Sequence, residues 1–265
     1  MKSKKHLNPV YEKKSTRVVY LLLKILVIMV MVRHAIQHDY ESVFLCALSL
    51  LLFVLPSIVE RELWVRLPAT LEIIILLFIF AAEILGEVNQ FYLRVPHWDT
   101  VLHTLNGFLC AAIGFAQIDL FNRSHHFKFE VSAVFLAVVA FCFSMTVGVI
   151  WEFFEFGCDN IFNQDMQKDT VVTQFKSAYP IDGNTQTLGE IKDIAGVIIV
   201  HGDGTQERLA IDGYLDIGLH DTMKDLLVNA IGAFTFSVIG FFYLKKRGHS
   251  RFAECFIPEV LTTKS

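Results

Sequence analysis

This 265-residue chain lacks C-x-x-C cysteine pairs, a net positive charge and nucleotide-binding glycine motifs. Its five cysteines form no C-x-x-C pair, which excludes a zinc ribbon and gives no sign of a disulfide framework. The formal net charge is −4, so there is no general basic surface for nucleic acid. GxSxG, Walker and Rossmann signatures are also absent from the sequence, so it indicates none of the enzyme classes that depend on them.

Charged residues are few as well, at 19%, whereas 54% of the residues are hydrophobic. The apolar residues gather in six blocks, each near the 20 residues or so that a helix needs to cross a bilayer. The sequence therefore predicts an all-α integral membrane protein with six transmembrane helices. The blocks cover residues 17–34, 41–59, 67–85, 98–121, 131–154 and 221–244.

Lysine and arginine predict the orientation of these spans. Fifteen of the 23 lie in the two chain ends and in the second and fourth connections. Short loops rich in Lys and Arg stay on the cytoplasmic side, so both termini are predicted to be cytoplasmic. The chain then divides into a cytoplasmic tail, five spans, an extracytoplasmic loop or cap, a sixth span and a second tail. Their limits are 1–16, 17–154, 155–220, 221–244 and 245–265.

The long fifth connection is predicted to be a small β-containing insert on the external face. Val197–Val200 and Arg208–Ile211 flank the turn His201-Gly202-Asp203-Gly204. Two short β-favouring runs around a glycine-rich turn predict a β-hairpin. The turn could also be interpreted as a cation-binding loop, but a plain turn is the simpler interpretation.

Polar residues at membrane depth are costly and tend to be functional. In the predicted topology they fall in the outer third of the membrane on four different helices. On the fourth, fifth and sixth helices they follow helical spacing, so they share one face of each helix. The residues are Glu83 on the third span; Asp99, His103 and Asn106 on the fourth; Glu152 and Glu155 on the fifth; and Asp221, Asp225 and Asn229 on the sixth.

Carboxylates that are held close together in a low dielectric cannot all stay ionised without protons, water or a cation. Carboxylate oxygens suit Mg²⁺, Ca²⁺ or Mn²⁺, and a histidine also admits Zn²⁺ or Fe²⁺. The pattern predicts a divalent-metal pocket. The predicted metal ligands are Asp99, His103, Glu152, Glu155 and Asp225; the predicted catalytic residues are Asp99, His103 and Asp221; Glu83, Asn106 and Asn229 are predicted to line the pocket.

Structural interpretations stand beside this one. Asp221 could cap its helix, where the dipole favours negative charge, instead of acting as a second ligand or general base. Asp225 could pair with its neighbour Lys224. The functional alternatives are a metal-dependent hydrolase of a lipid-linked or phosphorylated substrate, a non-catalytic scaffold or sensor, and an ion-coupled transporter. Membrane lipid is the expected partner, nucleic acid is not expected, and the sequence identifies no protein partner.

Four segments together resemble the YjdF-type bacterial inner-membrane proteins, a family of unknown function. The resemblance implies a multi-pass protein of the bacterial cytoplasmic membrane and supplies no reaction. The segments are Glu83-Ile84-Leu85-Gly86, Trp98-Asp99-Thr100-Val101-Leu102-His103, Trp151-Glu152-Phe153-Phe154-Glu155, and His220-Asp221-Thr222 continuing through Asp225 to Gly232.

Overall fold

The chain is mostly helical in the computed structural model, which describes residues 9–62, 65–123, 131–162, 165–178, 189–245, 255–256 and 259–260. The described part falls into two compact units. The first comprises the residues up to Gly148 and from Asp225 onward, and the second comprises Val149–Lys224. Half of the predicted N-terminal tail and most of the C-terminal one lie outside the described residues, and the division into tails, spans and cap stays a prediction.

Six helical segments in the described residues are long and apolar enough to cross a membrane, as the sequence predicts. Many of their large apolar side chains, such as Leu21, Phe44 and Phe234, are more than half exposed. A soluble protein rarely exposes apolar surface on this scale, whereas a membrane protein presents it to lipid. The helices are α1 (Pro9–Ile36), α2 (Tyr40–Leu52), α3 (Leu55–Glu62), α4 (Ala69–Ile79), α5 (Phe91–Arg94), α6 (Trp98–Arg123), α7 (Ala133–Phe162) and α8 (Leu219–Lys245), with a π-helix at Phe80–Val88 between α4 and α5.

The second span is a single apolar block in the sequence but two helices in the structure. α2 ends at Leu52, and α3 begins at Leu55 with Pro56 in its first turn. Proline lacks an N–H and is tolerated in the first turn, where that donor would have no partner within the helix. Pro56 therefore explains a break that the hydrophobic pattern does not show.

The third span also changes geometry, because α4 continues without interruption into the π-helix. This wider helix ends at Asn89, whose backbone N–H and side-chain amide both donate to the carbonyl oxygen of Ile84, at 3.0 and 2.7 Å. Gln90 then adopts a left-handed conformation with φ of 58° and turns the chain towards α5. π-Helical turns are rare in proteins, and those that occur are frequently found at functional sites.

The core of the first unit is built from apolar and aromatic side chains. α1 packs against α2 and α4, and α2 packs against the π-helix. Phe236 of α8 is fully buried and meets Phe108 and Phe115 of α6 in edge-on contacts, with ring centroids 5.1 and 5.9 Å apart. Phe256, beyond α8, contacts Phe108 at 5.2 Å. These contacts hold α6 and α8 side by side.

Two short strands connect distant parts of the first unit. β1 (Val65–Arg66) pairs antiparallel with β8 (Glu259–Val260), with Val65 opposite Val260. The loop before α4 is thus paired with a segment close to the end of the chain. The sequence pattern predicts neither strand, since each has only two residues.

The second unit carries the predicted β-structure and more. β5 (Ile198–Val200) and β6 (Gln206–Arg208) form an antiparallel hairpin around the predicted turn, which is closed by a hydrogen bond from Gly204 N–H to His201 O. The predicted second strand, 208–211, is wrong: β6 begins two residues earlier and ends three residues earlier. The turn ends at Gly204, so pairing resumes at Gln206.

Two further antiparallel pairs lie in the second unit and were not predicted. β2 (Thr170–Val172) pairs with β7 (Tyr214–Asp216), and β3 (Phe175–Ser177) pairs with β4 (Gly189–Ile191). α7 also continues to Phe162, eight residues past the predicted end of the fifth span. Glu155 therefore lies on this helix, as its spacing from Glu152 predicts.

Candidate functional site

Asp99 and His103 lie one turn apart near the beginning of α6, and Asp225 lies in the second turn of α8. His103 Nε2 is 3.3 Å from Asp99 Oδ1 and 4.0 Å from Asp225 Oδ2. The side chains of Asp225, His103 and Asp99 are 1%, 11% and 20% exposed, respectively. The structure thus places two carboxylates around one imidazole in a largely buried position.

The three side chains, called here the Asp–His–Asp cluster, are arranged so that each offers one ligand atom within 4.8 Å of the other two. In a tetrahedral site with bonds of about 2.1 Å, neighbouring ligand atoms lie about 3.4 Å apart. The His103–Asp99 distance is already close to that value. The remaining separations are longer, up to 4.8 Å. One imidazole nitrogen and two carboxylate oxygens are a donor set suited to a divalent cation that accepts nitrogen and oxygen ligands.

The beginning of α6 is fixed against the π-helix. Trp98 Nε1 donates to the carbonyl oxygen of Ala81 at 3.3 Å, and the Trp98 ring meets Phe91 edge-on at 5.1 Å. Because Asp99 follows Trp98 directly, these contacts set the direction from which α6 presents Asp99 and, one turn later, His103.

Asn106 and Asn229 bond to each other. The Asn106 amide donates to Asn229 Oδ1 at 3.1 Å, and Asn229 Nδ2 is 3.5 Å from the carbonyl oxygen of Ser144 on α7. Asn229 is 1% exposed. Both amides were predicted to line a pocket, and the structure shows them bridging α6, α7 and α8.

Ser144 was not singled out from the sequence, although it belongs to this bridge. Its hydroxyl donates to the carbonyl oxygen of Gly107 on α6 at 2.8 Å. The signal that could have found it is its position four residues before Gly148, because small residues at this spacing mark close helix contacts in membranes.

Three glycines allow the helices to come this close. A methyl group at Gly107 would overlap the carbonyl oxygen of Asn229, and one at Gly232 would overlap the carbonyl oxygen of Thr104. A methyl group at Gly148 would lie 2.8 Å from Asn229 Nδ2. Any larger residue at these positions would push α6, α7 or α8 away from the shared amides.

Glu83 lies on the π-helix and is 8% exposed, so it is a buried carboxylic acid at membrane depth. It is not a member of the Asp–His–Asp cluster. Glu83 therefore stays a predicted pocket residue. Its backbone is π-helical, and the geometry of the described residues assigns it no ligand role.

Glu152, Glu155 and Asp221 belong to the second unit, and all three are buried. Glu155 Oε1 accepts a 2.6 Å hydrogen bond from Trp151 Nε1. Asp221 accepts the backbone N–H of Lys168 at 2.9 Å and the ammonium of Lys224 at 3.2 Å. Asp221 thus has structural contacts within its own unit, and the metal or base roles of these three acids stay predictions.

Carboxylates gather in the second unit. Asp159 accepts the backbone N–H groups of Met166 and Gln167 at 2.6 and 2.9 Å. Burial raises the pKa of Asp169, and the nearby carboxylates of Asp165, Asp159 and Asp216 raise it further. Stability of this unit is therefore expected to depend on pH.

Comparison with known proteins places the chain in a family. Residues 19–246 match the model of the family described as "Predicted membrane protein (DUF2238)". A protein of Thermotoga maritima, described as uncharacterized, is 24% identical over 239 residues, which cover 89% of this chain and 93% of that protein. No solved structure matches this chain. An uncharacterised membrane family is thereby confirmed, and the chain belongs to the predicted membrane protein family DUF2238.

Proposed function

We propose that this membrane protein binds a divalent cation at Asp99, His103 and Asp225 and uses it to hydrolyse a phosphorylated or lipid-linked substrate. The observation that carries the proposal is the approach of two carboxylates and one imidazole to within 4.8 Å in a largely buried position. With both acids ionised and the histidine neutral, the cluster would carry two negative charges. A divalent cation would balance those charges and fill the remaining space.

Three protein ligands leave a coordination position for water, as in catalytic zinc sites. Asp99, His103 and Asp225 would hold the cation, which when bound would supply an activated water for attack on phosphorus. Asp99 is the most exposed of the three and would take the proton on its second oxygen. Asp99 would return this proton to the leaving oxygen as the bond from phosphorus to that oxygen breaks.

Both chain ends are proposed to be cytoplasmic, in the cytoplasmic membrane of a bacterium. The support is the distribution of Lys and Arg over the connections. Asp99 and Asp225 lie close to the beginnings of α6 and α8. With this orientation the Asp–His–Asp cluster would be reached from the external side.

Metal content tests the proposal. Protein purified in detergent, loaded with Zn²⁺ or Mn²⁺ and freed of excess ion is expected to retain about one ion per chain. Asp225→Asn and His103→Gln should each reduce retention at least tenfold, because each removes one ligand. Asp119→Asn, a buried aspartate on the same helix as Asp99, is the matched control and should retain the ion.

The proposal fails if the wild-type chain retains no ion, or if both ligand variants retain as much as the control. If the ion is retained but no phosphate ester or lipid-linked phosphate is cleaved, the metal site stands and the hydrolase is wrong.

An ion-coupled transporter is the second candidate. The observation in its favour is that His103 lies within ion-pair distance of both carboxylates, so a proton on His103 could balance part of their charge without a metal. Proton flux into liposomes that is lost in Asp225→Asn and insensitive to chelators would favour this candidate.

A further inference from the structure

A groove of about 520 Å³ lies between the first part of α7 and the last part of α8. Ala137, Val138 and Phe141 line it from α7, and Ser237, Phe241 and Phe242 line it from α8. All of its lining residues except Ser237 are apolar. The volume is within the range of pockets that hold small molecules, and the lining suits a hydrocarbon. All of these residues belong to the first unit, and none belongs to the Asp–His–Asp cluster.

A lysine side chain lies at one end of this groove. Lys245 is exposed at the last position of α8, and its Nζ lies 5.7 Å from the ring centroid of Phe241, a lining residue. The sequence continues with Lys246 and Arg247, and Arg251 follows. A basic residue at the end of a membrane helix, with three more in the next six positions, forms the pattern that attracts anionic lipid head groups.

The dimensions agree with one leaflet. Phe234 and Phe242 mark the two ends of the α8 side of the groove. At 1.5 Å per residue, the distance from Phe234 to Lys245 is about 16 Å. Half of a 30 Å hydrocarbon core is about 15 Å. An acyl chain that begins at Lys245 would therefore fill the groove as far as the bilayer centre.

We propose that the α7–α8 groove binds one acyl chain of an anionic phospholipid, whose phosphate lies at Lys245. The lipid is a resident ligand of the leaflet at the C-terminal end of α8. The charge of its head group complements the basic segment, and its chain covers apolar side chains that the protein leaves uncovered.

Ser237 distinguishes this occupant from a second copy of the chain. Its hydroxyl oxygen is buried in the groove and has no hydrogen-bond partner among the described residues. A helix of a second copy would offer a carbonyl or hydroxyl to this oxygen once the side chain rotates towards the groove, since such polar contacts hold membrane helices together. An acyl chain offers none, so Ser237→Ala should leave lipid binding unchanged or slightly tighter.

Native mass spectrometry of the full chain, incubated with phosphatidylglycerol or with phosphatidylcholine of the same acyl chains, tests the proposal. The wild-type chain should retain one phosphatidylglycerol in preference to phosphatidylcholine. Val138→Phe and Ala137→Phe narrow the groove and should reduce retention of both lipids at least fivefold. Val18→Phe is the matched control, because Val18 and Val138 are similarly exposed on membrane helices, at 57% and 52%.

The charge is tested separately. Lys245→Gln should reduce the preference for phosphatidylglycerol by about fivefold, as expected for one lysine near a lipid surface. Lys14→Gln, at an exposed site on α1, should leave it unchanged. Equal retention in Val138→Phe and Val18→Phe overturns the proposal. The proposal is also overturned if the wild-type chain is a dimer and Ser237→Ala loses both the second copy and the lipid. The groove would then belong to the second copy.

Discussion

At the scale of single residues, spacing along α6 is informative. Asp99, His103 and Asn106 follow helical spacing, and the structure places Asp99 and His103 together as that spacing implies. The partner from another helix is less predictable. Asp221 and Asp225 lie one turn apart on α8, and among the described residues it is Asp225 that joins Asp99 and His103 in the cluster. Which of the two does so depends on helix rotation, which one sequence does not fix.

Asn229→Leu should weaken the α6–α7–α8 bridge. The substitution removes the acceptor of Asn106 and the contacts with Ser144 and Met145. Polar contacts between membrane helices are each worth about 0.6 kcal/mol on average. We expect the free energy of unfolding to fall by about 1 to 2 kcal/mol, measured by thermal or denaturant unfolding in detergent.

The control for this prediction is Thr235→Val on the same helix. Its hydroxyl is exposed and donates only to the carbonyl oxygen of Ile231, within α8. Its substitution should change stability little. Equal losses in the two variants would mean that the amide bridge is not what holds α8 in place.

At the scale of elements, the hydrophobic blocks predict where the helices lie but not how each helix is built. Pro56 was available as a signal for the break before α3. The π-helix at Phe80–Val88 had no such signal, because its residues would also suit an ordinary helix. The strands of the second unit have three residues each, too few to show alternation.

Two glycine substitutions should have opposite effects on helix packing. Gly232→Ala places a methyl group against the Thr104 carbonyl oxygen and should destabilise the protein by about 1 to 3 kcal/mol. Gly157 of α7 has no neighbouring atom within 4 Å of an added methyl group. Gly157→Ala should therefore stabilise by up to about 1 kcal/mol through helix propensity alone. Thermal unfolding of both variants measures the difference, and equal shifts in melting temperature would contradict it.

The pH dependence of the second unit should be set in part by Asp169. Burial, followed by neighbouring carboxylates, raises its pKa, so the folded unit binds a proton more tightly than the unfolded chain does. Its ionised form destabilises the unit above the raised pKa. That cost disappears as the pH falls through the raised pKa towards the ordinary value of about 3.9.

Hydrogen exchange at the amides of β2, which begins next to Asp169, reports this effect. We expect Asp169→Asn to slow exchange at pH 7 and to differ less from wild type at pH 4.5. Asp203→Asn is the contrast, because hydrogen bonds from Thr205 lower the pKa of Asp203. If mild acidification reduces the protection of the wild-type unit but not that of Asp169→Asn, the predicted sign of the Asp169 pKa shift is wrong.

At the scale of the whole molecule, the distribution of apolar residues predicts most of the architecture. Six apolar blocks become six helical segments that can span a membrane, and a small β-containing unit occupies the long fifth connection. The pairing of β1 with β8 was not predictable, since it joins segments almost 200 residues apart through two residues each. The α7–α8 groove was not predictable either, because it depends on how two apolar helices diverge.

X-ray absorption spectroscopy of the zinc-loaded full chain tests the central claim, that Asp99, His103 and Asp225 hold a metal ion. We predict one imidazole nitrogen and two or more oxygen ligands at about 2.0–2.2 Å, with no sulfur. In His103→Gln the imidazole signature should disappear. Sulfur ligands, or an unchanged imidazole signature in His103→Gln, would show that the metal binds elsewhere and would contradict this account.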